Sequence, residues 1–154
     1  MLYRPTWAEI HLDRLRYNYR LISEKVGSKE VLPVVKADAY GHGSIEVVKC
    51  LIDEGVSFFA VSLLEEALEL RERFSNIDIF VLGAISPEQI EIAAKNNIII
   101  TLYSKAFADA ALQSNVPTRV HLKLDTGMNR LGLKSLNEVQ EIFEKFSTQK
   151  THSL

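Results

Sequence analysis

The chain predicts an α/β fold built from parallel βα units. Three observations carry that prediction. A unit of short apolar strand, polar turn and amphipathic helix recurs five times. The strand starts are spaced by roughly 20 to 27 residues, enough for one crossover helix each. Several helix starts carry a Ser followed three residues later by Glu or Gln, the sequence of a reciprocal N-terminal cap.

Trp7 to His11 reads as a first strand-like piece. A helix follows, with Leu12, Leu15, Tyr19, Ile22 and Val26 at three- and four-residue spacing and Gly27 as its C-cap. The repeating strands are Val31–Lys36, Phe58–Ser62, Asp78–Leu82, Ile98–Tyr103 and Arg119–Asp125. Ser62-Leu-Leu-Glu65, Ser86-Pro-Glu-Gln89 and Ser135-Leu-Asn-Glu138 are the capping sequences, with Pro87 at a first helical position where its missing N–H is harmless. Asn96-Asn97 and Asn115-Val-Pro117 read as turns. The last helix places Val139, Ile142, Phe143 and Phe146 on one face, expected to pack on the sheet. No linker or low-complexity tract divides the chain.

A length of 154 residues suits one domain, and 47% hydrophobic content suffices for a core. A net charge of −2 with both signs interspersed carries no nucleic-acid footprint. The short basic cluster Arg14, Arg16 and Arg20 reads as the wet face of a helix. A single cysteine, Cys50, allows no intrachain disulfide and fits a reducing compartment. With no signal peptide and no apolar run near the ~18 residues of a membrane helix, the expected location is the cytoplasm, without membrane or nucleic-acid partners.

The chain is organised around Val31-Leu-Pro-Val-Val-Lys-Ala-Asp-Ala-Tyr-Gly-His-Gly43. An apolar run, read as a strand covered on both faces, ends in Lys36 and passes into a glycine-bearing turn. In parallel α/β folds the carboxyl edge of the strands is where ligands bind. A lysine desolvated there has a lowered pKa and attacks carbonyls as a neutral amine. From spacing alone, a solvated lysine at a strand end is the more frequent outcome.

Val35-Lys-Ala-Asp-Ala-Tyr-Gly-His-Gly43 resembles the pyridoxal-phosphate attachment motif of bacterial alanine racemases. His121-Leu-Lys-Leu-Asp-Thr-Gly-Met-Asn-Arg-Leu-Gly132 resembles a second motif of that family, about 80 residues further on. The opening, Trp7 to Tyr19, is similar to the family's start. The likeness runs from Arg4 to Phe146, leaving Ser147–Leu154 unmatched.

The resemblance implies a TIM barrel. This chain would supply about five of its eight βα units and none of the family's C-terminal β-domain. Unclosed edges recruit other chains, so the isolated chain is expected to be marginal, oligomeric or aggregation-prone. The implied activity is the interconversion of L- and D-alanine through a pyridoxal 5'-phosphate Schiff base on Lys36, supplying D-alanine for the cell wall, in a homodimer. Lys36 would also act as one of two bases. Tyr40 is the implied phosphate contact; Gly41 and Gly43 permit tight backbone, and His42 has no assigned role. Arg130 is the implied substrate-binding residue, near the cofactor's phenolic oxygen. Lys123, expensive inside a strand unless paired, matches a lysine that is often carbamylated, and Arg130 would be its partner.

Leu82 is expected to line the cofactor pocket, and Asp125 to orient its loop. Asn129, standing where a second glycine is common, requires a backbone angle asparagine tolerates. Met128 reads as packing beside the site, and Cys50 and His121 as core or strand residues. His11 and His152 form no constellation, and no metal site is expected. The implied second base, a partner-subunit tyrosine, lies beyond Leu154, as does an arginine facing the pyridine nitrogen. Two rivals stand beside the racemase reading: a pyridoxal-phosphate-binding protein and a non-catalytic remnant of the family.

Overall fold

The computed structural model describes residues 5–148; His152 and the tail lie outside them. Four short parallel strands form one sheet in the order β1 (Phe58–Val61), β2 (Asp78–Val81), β3 (Ile98–Leu102) and β4 (Val120–Leu122). Strand order follows chain order, the pattern of a barrel wall rather than a doubly wound sheet. The helices are α1 (Leu12–Val26), α2 (Lys36–Gly41), α3 (Ser44–Ile52), α4 (Leu64–Arg73), α5 (Ile90–Lys95), α6 (Lys105–Leu112) and α7 (Leu136–Thr148), with a 3₁₀ turn at Pro87–Gln89 before α5. No described helix is long and apolar enough to cross a membrane.

Strand alternation separates two apolar layers. Phe59, Val61, Ile79, Val81, Ile98, Ile100, Leu102 and Val120 meet the helices and form the large core. Ala60, Phe80 and Ile99, flanked by Leu32, Phe58 and Leu82, form a small cluster on the opposite, inner face. Helices contribute their own stripe, as with Val47, Val48 and Leu51 of α3. Each such fully buried aliphatic or aromatic side chain contributes about 1.5–3 kcal/mol.

Several expectations need correction. The first repeating strand, Val31–Lys36, shrinks to one bridge, Val34 to Ala60. Val35 N–H donates to the Ala60 carbonyl at 2.8 Å and Ala60 N–H to that of Pro33 at 2.9 Å. Pro33 has no N–H of its own, and Lys36 already begins a helical turn, so the ladder cannot extend. Nor is this segment covered on both faces: Val35 is 2% exposed, whereas Val34 is exposed on the open side. Trp7–His11 joins no strand, and Trp7 is 74% exposed. The cap of α4 shifts by one residue to Leu63, with Glu66 rather than Glu65 accepting from the backbone. The Ser86 cap is as expected, its N–H donating to Gln89 Oε1 at 2.9 Å. Ser135 Oγ instead accepts from Asn137 N–H.

Arg16 and Arg20 are not simply a wet face. Arg16 donates to Cys50 Sγ and Asp53, and Arg20 grips Glu54 with two nitrogens, tying α1 to α3 and its end. On α7, Ile142 and Phe146 are buried and Val139 half-buried, but Phe143 is 57% exposed. The buried stripe centres on Ile142 and Phe146; Phe143 adjoins Val139 and Phe146 but sits at its edge, about 100° round from Ile142. Cys50 is buried, as expected.

Candidate active site

Lys36 sits half-buried at the carboxyl end of the sheet, directly after the Val34–Ala60 bridge. The four residues that follow it are all left-handed: Ala37 (φ 49°, ψ 53°), Asp38 (54°, 48°), Ala39 (51°, 43°) and Tyr40 (56°, 36°). None is glycine, and for L-residues this hand costs roughly 1–2 kcal/mol each. The turn is held from several sides. Ala39 N–H donates to the Val35 carbonyl at 3.0 Å, Gly43 N–H to that of Asp38 at 3.0 Å, and Ser44 N–H to Asp38 Oδ1 at 2.7 Å. His42 Nδ1 lies 2.9 Å from the Ala39 carbonyl, giving that ring a structural place. Glu66, from α4, accepts the Ala37 N–H at 2.6 Å. Ala39 is buried beneath the turn.

The second segment leaves β4 at the same sheet end. Asp125 nucleates its loop: Oδ1 accepts from Asn129 N–H at 2.9 Å and Gly127 N–H at 3.1 Å. Those two donors, Asn129 first, hold its carboxyl below the usual aspartate value, with the Lys134 ammonium adding to the effect. The side chain is 2% exposed, so the carboxylate is spent inside the loop, as the sequence suggests. Asn129 takes φ 56°, the angle its position required. The loop returns to β4 through Asp125 N–H to the Leu133 carbonyl and Leu133 N–H to that of Lys123, both 2.9 Å. Gly132 lies in this crossing; a Cβ there would stand 2.7 Å from Asp125 N. Met128 is 74% exposed rather than packed.

Leu82 and Lys123 come together: with Phe80, Thr101, His121 and Leu124 they line an inner-face cavity of about 260 Å³. Thr101 is satisfied there, donating to the Val81 carbonyl at 2.7 Å. His121 contacts Phe80 (centroids 4.5 Å) and Phe58 (6.0 Å, edge-on). Packing against these groups, and secondarily the charge of Arg119, hold the imidazole below the usual histidine pKa. Tyr40 does not join this cavity. It lines a separate hollow with Leu15, Val35, Ala39, His42 and Leu51, and its ring stays exposed. Arg130 is exposed on the loop.

Among the described residues, the side chains of Lys36, Lys123 and Arg130 make no hydrogen bond or ion pair. The neighbouring acids are already engaged: Asp38 with Ser44 N–H, Glu66 with three backbone N–H groups, and Asp125 with its loop. Three cations at one sheet end thus lack an internal counterion. Unpaired cations of this kind can hold anionic groups, and an amine at a strand end can attack a carbonyl. Glu66 escaped the sequence reading; the signal was the second acid of Leu63-Leu-Glu-Glu66, three residues beyond the true cap.

Parallel strands in chain order, with Lys36 at the first βα junction and Arg130 in the loop after β4, define a partial (β/α) barrel. Residues 10–154 match the family model "Alanine racemase, N-terminal domain", and the chain belongs to that family. The match includes the tail that the motif comparison left out. An alanine racemase of Anoxybacillus flavithermus is 45% identical over 146 residues, 91% of this chain and 38% of that protein. The chain therefore spans about two fifths of that relative's length. Among solved structures, alanine racemase from E. faecalis superposes with a TM-score of 0.91 at 31% identity, over 97% of this chain and 42% of that one. A histidine racemase from Leuconostoc mesenteroides superposes with a TM-score of 0.83 at 32% identity, over 92% and 39%. The fold is thus the N-terminal barrel part of this family, present as a parallel partial barrel.

Proposed function

We propose that this chain is the lysine-bearing part of a pyridoxal-phosphate-dependent amino-acid racemase whose substrate is alanine. The reading extends to a cytoplasmic homodimer that makes D-alanine for peptidoglycan. The observation that carries it is that Lys36, Lys123 and Arg130 all stand at the carboxyl end of the sheet with no side-chain partner among the described residues, while Asp38, Glu66 and Asp125 are engaged by backbone donors.

Lys36 would hold the cofactor covalently through Nζ and, when released, accept or return a proton at that atom. Tyr40 would donate its phenolic O–H to the phosphate, and Leu82 would wall the ring from water. Arg130, always protonated, would hold a carboxylate in a two-pronged grip. Lys123 would be carbamylated: its neutral amine adds to CO2 and releases a proton, and the new anion faces Arg130. That replaces two unpaired cations with an ion pair. Bound pyridoxal phosphate supplies the electron sink for a deprotonated α-carbon.

The test is addition of pyridoxal phosphate to the natural protein, followed by borohydride reduction and peptide mapping, with racemisation assayed on alanine, serine and histidine. The expected adduct is on Lys36, absent in Lys36→Ala, with alanine the best substrate. Absence of any lysine adduct would overturn the reading. Electron density at Lys123 decides the carbamate; a bare ammonium there removes it.

A further inference from the structure

Glu66 makes a connection that helix capping alone does not explain. Its Oε2 accepts from Ser62 N–H at 2.8 Å and Leu63 N–H at 2.9 Å, which satisfies the start of α4. Its Oε1 is free of that duty and accepts from Ala37 N–H at 2.6 Å, across 29 residues of sequence. Ala37 is the residue next to Lys36 and the first of the left-handed turn. One carboxylate therefore joins the end of β1, the first turn of α4 and the peptide on the carboxyl side of Lys36.

We propose that Glu66 is a positioning residue for Lys36. It fixes the Lys36–Ala37 peptide and so the direction in which the Lys36 side chain leaves the sheet. This inference rests on Lys36 being the cofactor-bearing lysine. The next unit supplies a contrast. Gln89 caps the 3₁₀ turn by accepting from Ser86 N–H at 2.9 Å and has no bond to the Lys36 turn.

Glu66→Gln separates the two duties. Its single carbonyl oxygen satisfies the two donors Ser62 and Leu63, which leaves the amide NH₂ facing the Ala37 N–H, donor against donor. The cap survives and the bond toward Lys36 is lost. The experiment uses the natural protein and its Glu66→Gln, Glu66→Ala and Gln89→Ala variants. Three quantities are read: amide exchange at Ala37 without cofactor, the rate of pyridoxal-phosphate attachment followed by visible absorbance, and thermal stability.

In Glu66→Gln, Ala37 exchange is expected to quicken by roughly tenfold, reflecting loss of a charge-assisted bond. Attachment is expected to slow by roughly 10- to 100-fold, the scale of a misplaced reacting group. The melting temperature should fall by only a few degrees, because the cap survives. Glu66→Ala should show both changes together with a lower melting temperature. Gln89→Ala should lower the melting temperature alone. The inference is overturned if Glu66→Gln attaches cofactor at the parental rate, or if Gln89→Ala slows attachment equally. A parental adduct on a lysine other than Lys36 overturns the functional reading as well, whereas a normal Lys36 adduct in an unaffected Glu66→Gln variant overturns this inference alone.

Discussion

Replacing Ala37 with glycine should stabilise this protein, the reverse of what the same change does inside an ordinary helix. Ala37 sits at φ 49°, ψ 53°, and its side chain is exposed, so removing the Cβ forfeits little packing. Left-handed geometry costs an alanine roughly 1–2 kcal/mol that glycine does not bear. Against that stands the greater freedom of glycine in the unfolded chain, roughly 0.5–1 kcal/mol. The difference favours Ala37→Gly by about 0.5–1 kcal/mol. For a chain of 154 residues that is a rise in Tm of about 1–4 °C. Ala94→Gly, in the right-handed α5, is the matched control and should cost about 1 kcal/mol. Urea unfolding followed by circular dichroism measures both. If Ala37→Gly destabilises as much as Ala94→Gly, the turn after Lys36 does not have the opposite hand and the reasoning fails.

Gly132→Ala should destabilise by at least about 1–3 kcal/mol, because φ 122° is strained for alanine and the Cβ would meet the Asp125, Leu124 and Lys123 backbone at 2.7–3.0 Å; chemical denaturation and the loss of amide protection at Leu133 would report it. The depressed pKa of His121 gives a pH dependence of definite sign. The unfolded chain, titrating near pH 6.5, binds the proton more readily than the folded one, so stability present above that value is lost as pH falls through the folded pKa. Urea midpoints at pH 8, 6 and 5 should decline in the parent and decline less in His121→Phe. The Arg119 guanidinium, bound to Asp78 by two nitrogens, lowers that carboxyl below its usual value. Its stabilisation is present above about pH 4 and lost on acidification. Both partners are well exposed, so Asp78→Asn should cost only about 0–1 kcal/mol at pH 7, with the difference vanishing near pH 2.

Much of the architecture was legible because strand and helix periods are local. Ile98-Ile-Ile-Thr-Leu102 could only be a buried strand, and the caps at Ser86 and Ser135 marked their helix starts within a residue. The duty of Asp125 and the angle at Asn129 were also readable, since both act within one loop. What could not be read was set by distant partners. Nothing in Ala37-Asp-Ala-Tyr40 signals a left-handed turn; with no glycine among them, the local bonds to Val35 and Ser44 are joined by Glu66, 29 residues away. The first strand failed for a similar reason: its propensity was adequate, but pairing needs donors, and Pro33 has none. Arg16 looked solvated because its sulfur partner on Cys50 lies 34 residues away.

The two apolar layers face unequal demands. Phe59, Ile79 and Ile100 lock into the large core under the helices, whereas their alternating neighbours Ala60, Phe80 and Ile99, though buried, belong to a much smaller cluster on the inner face. A saturation scan should therefore read out along each strand as a beat of two, positions in the large core tolerating less than those in the small cluster. Selection can rework one register while the other keeps the scaffold intact, so the two faces of a single wall can drift at different speeds.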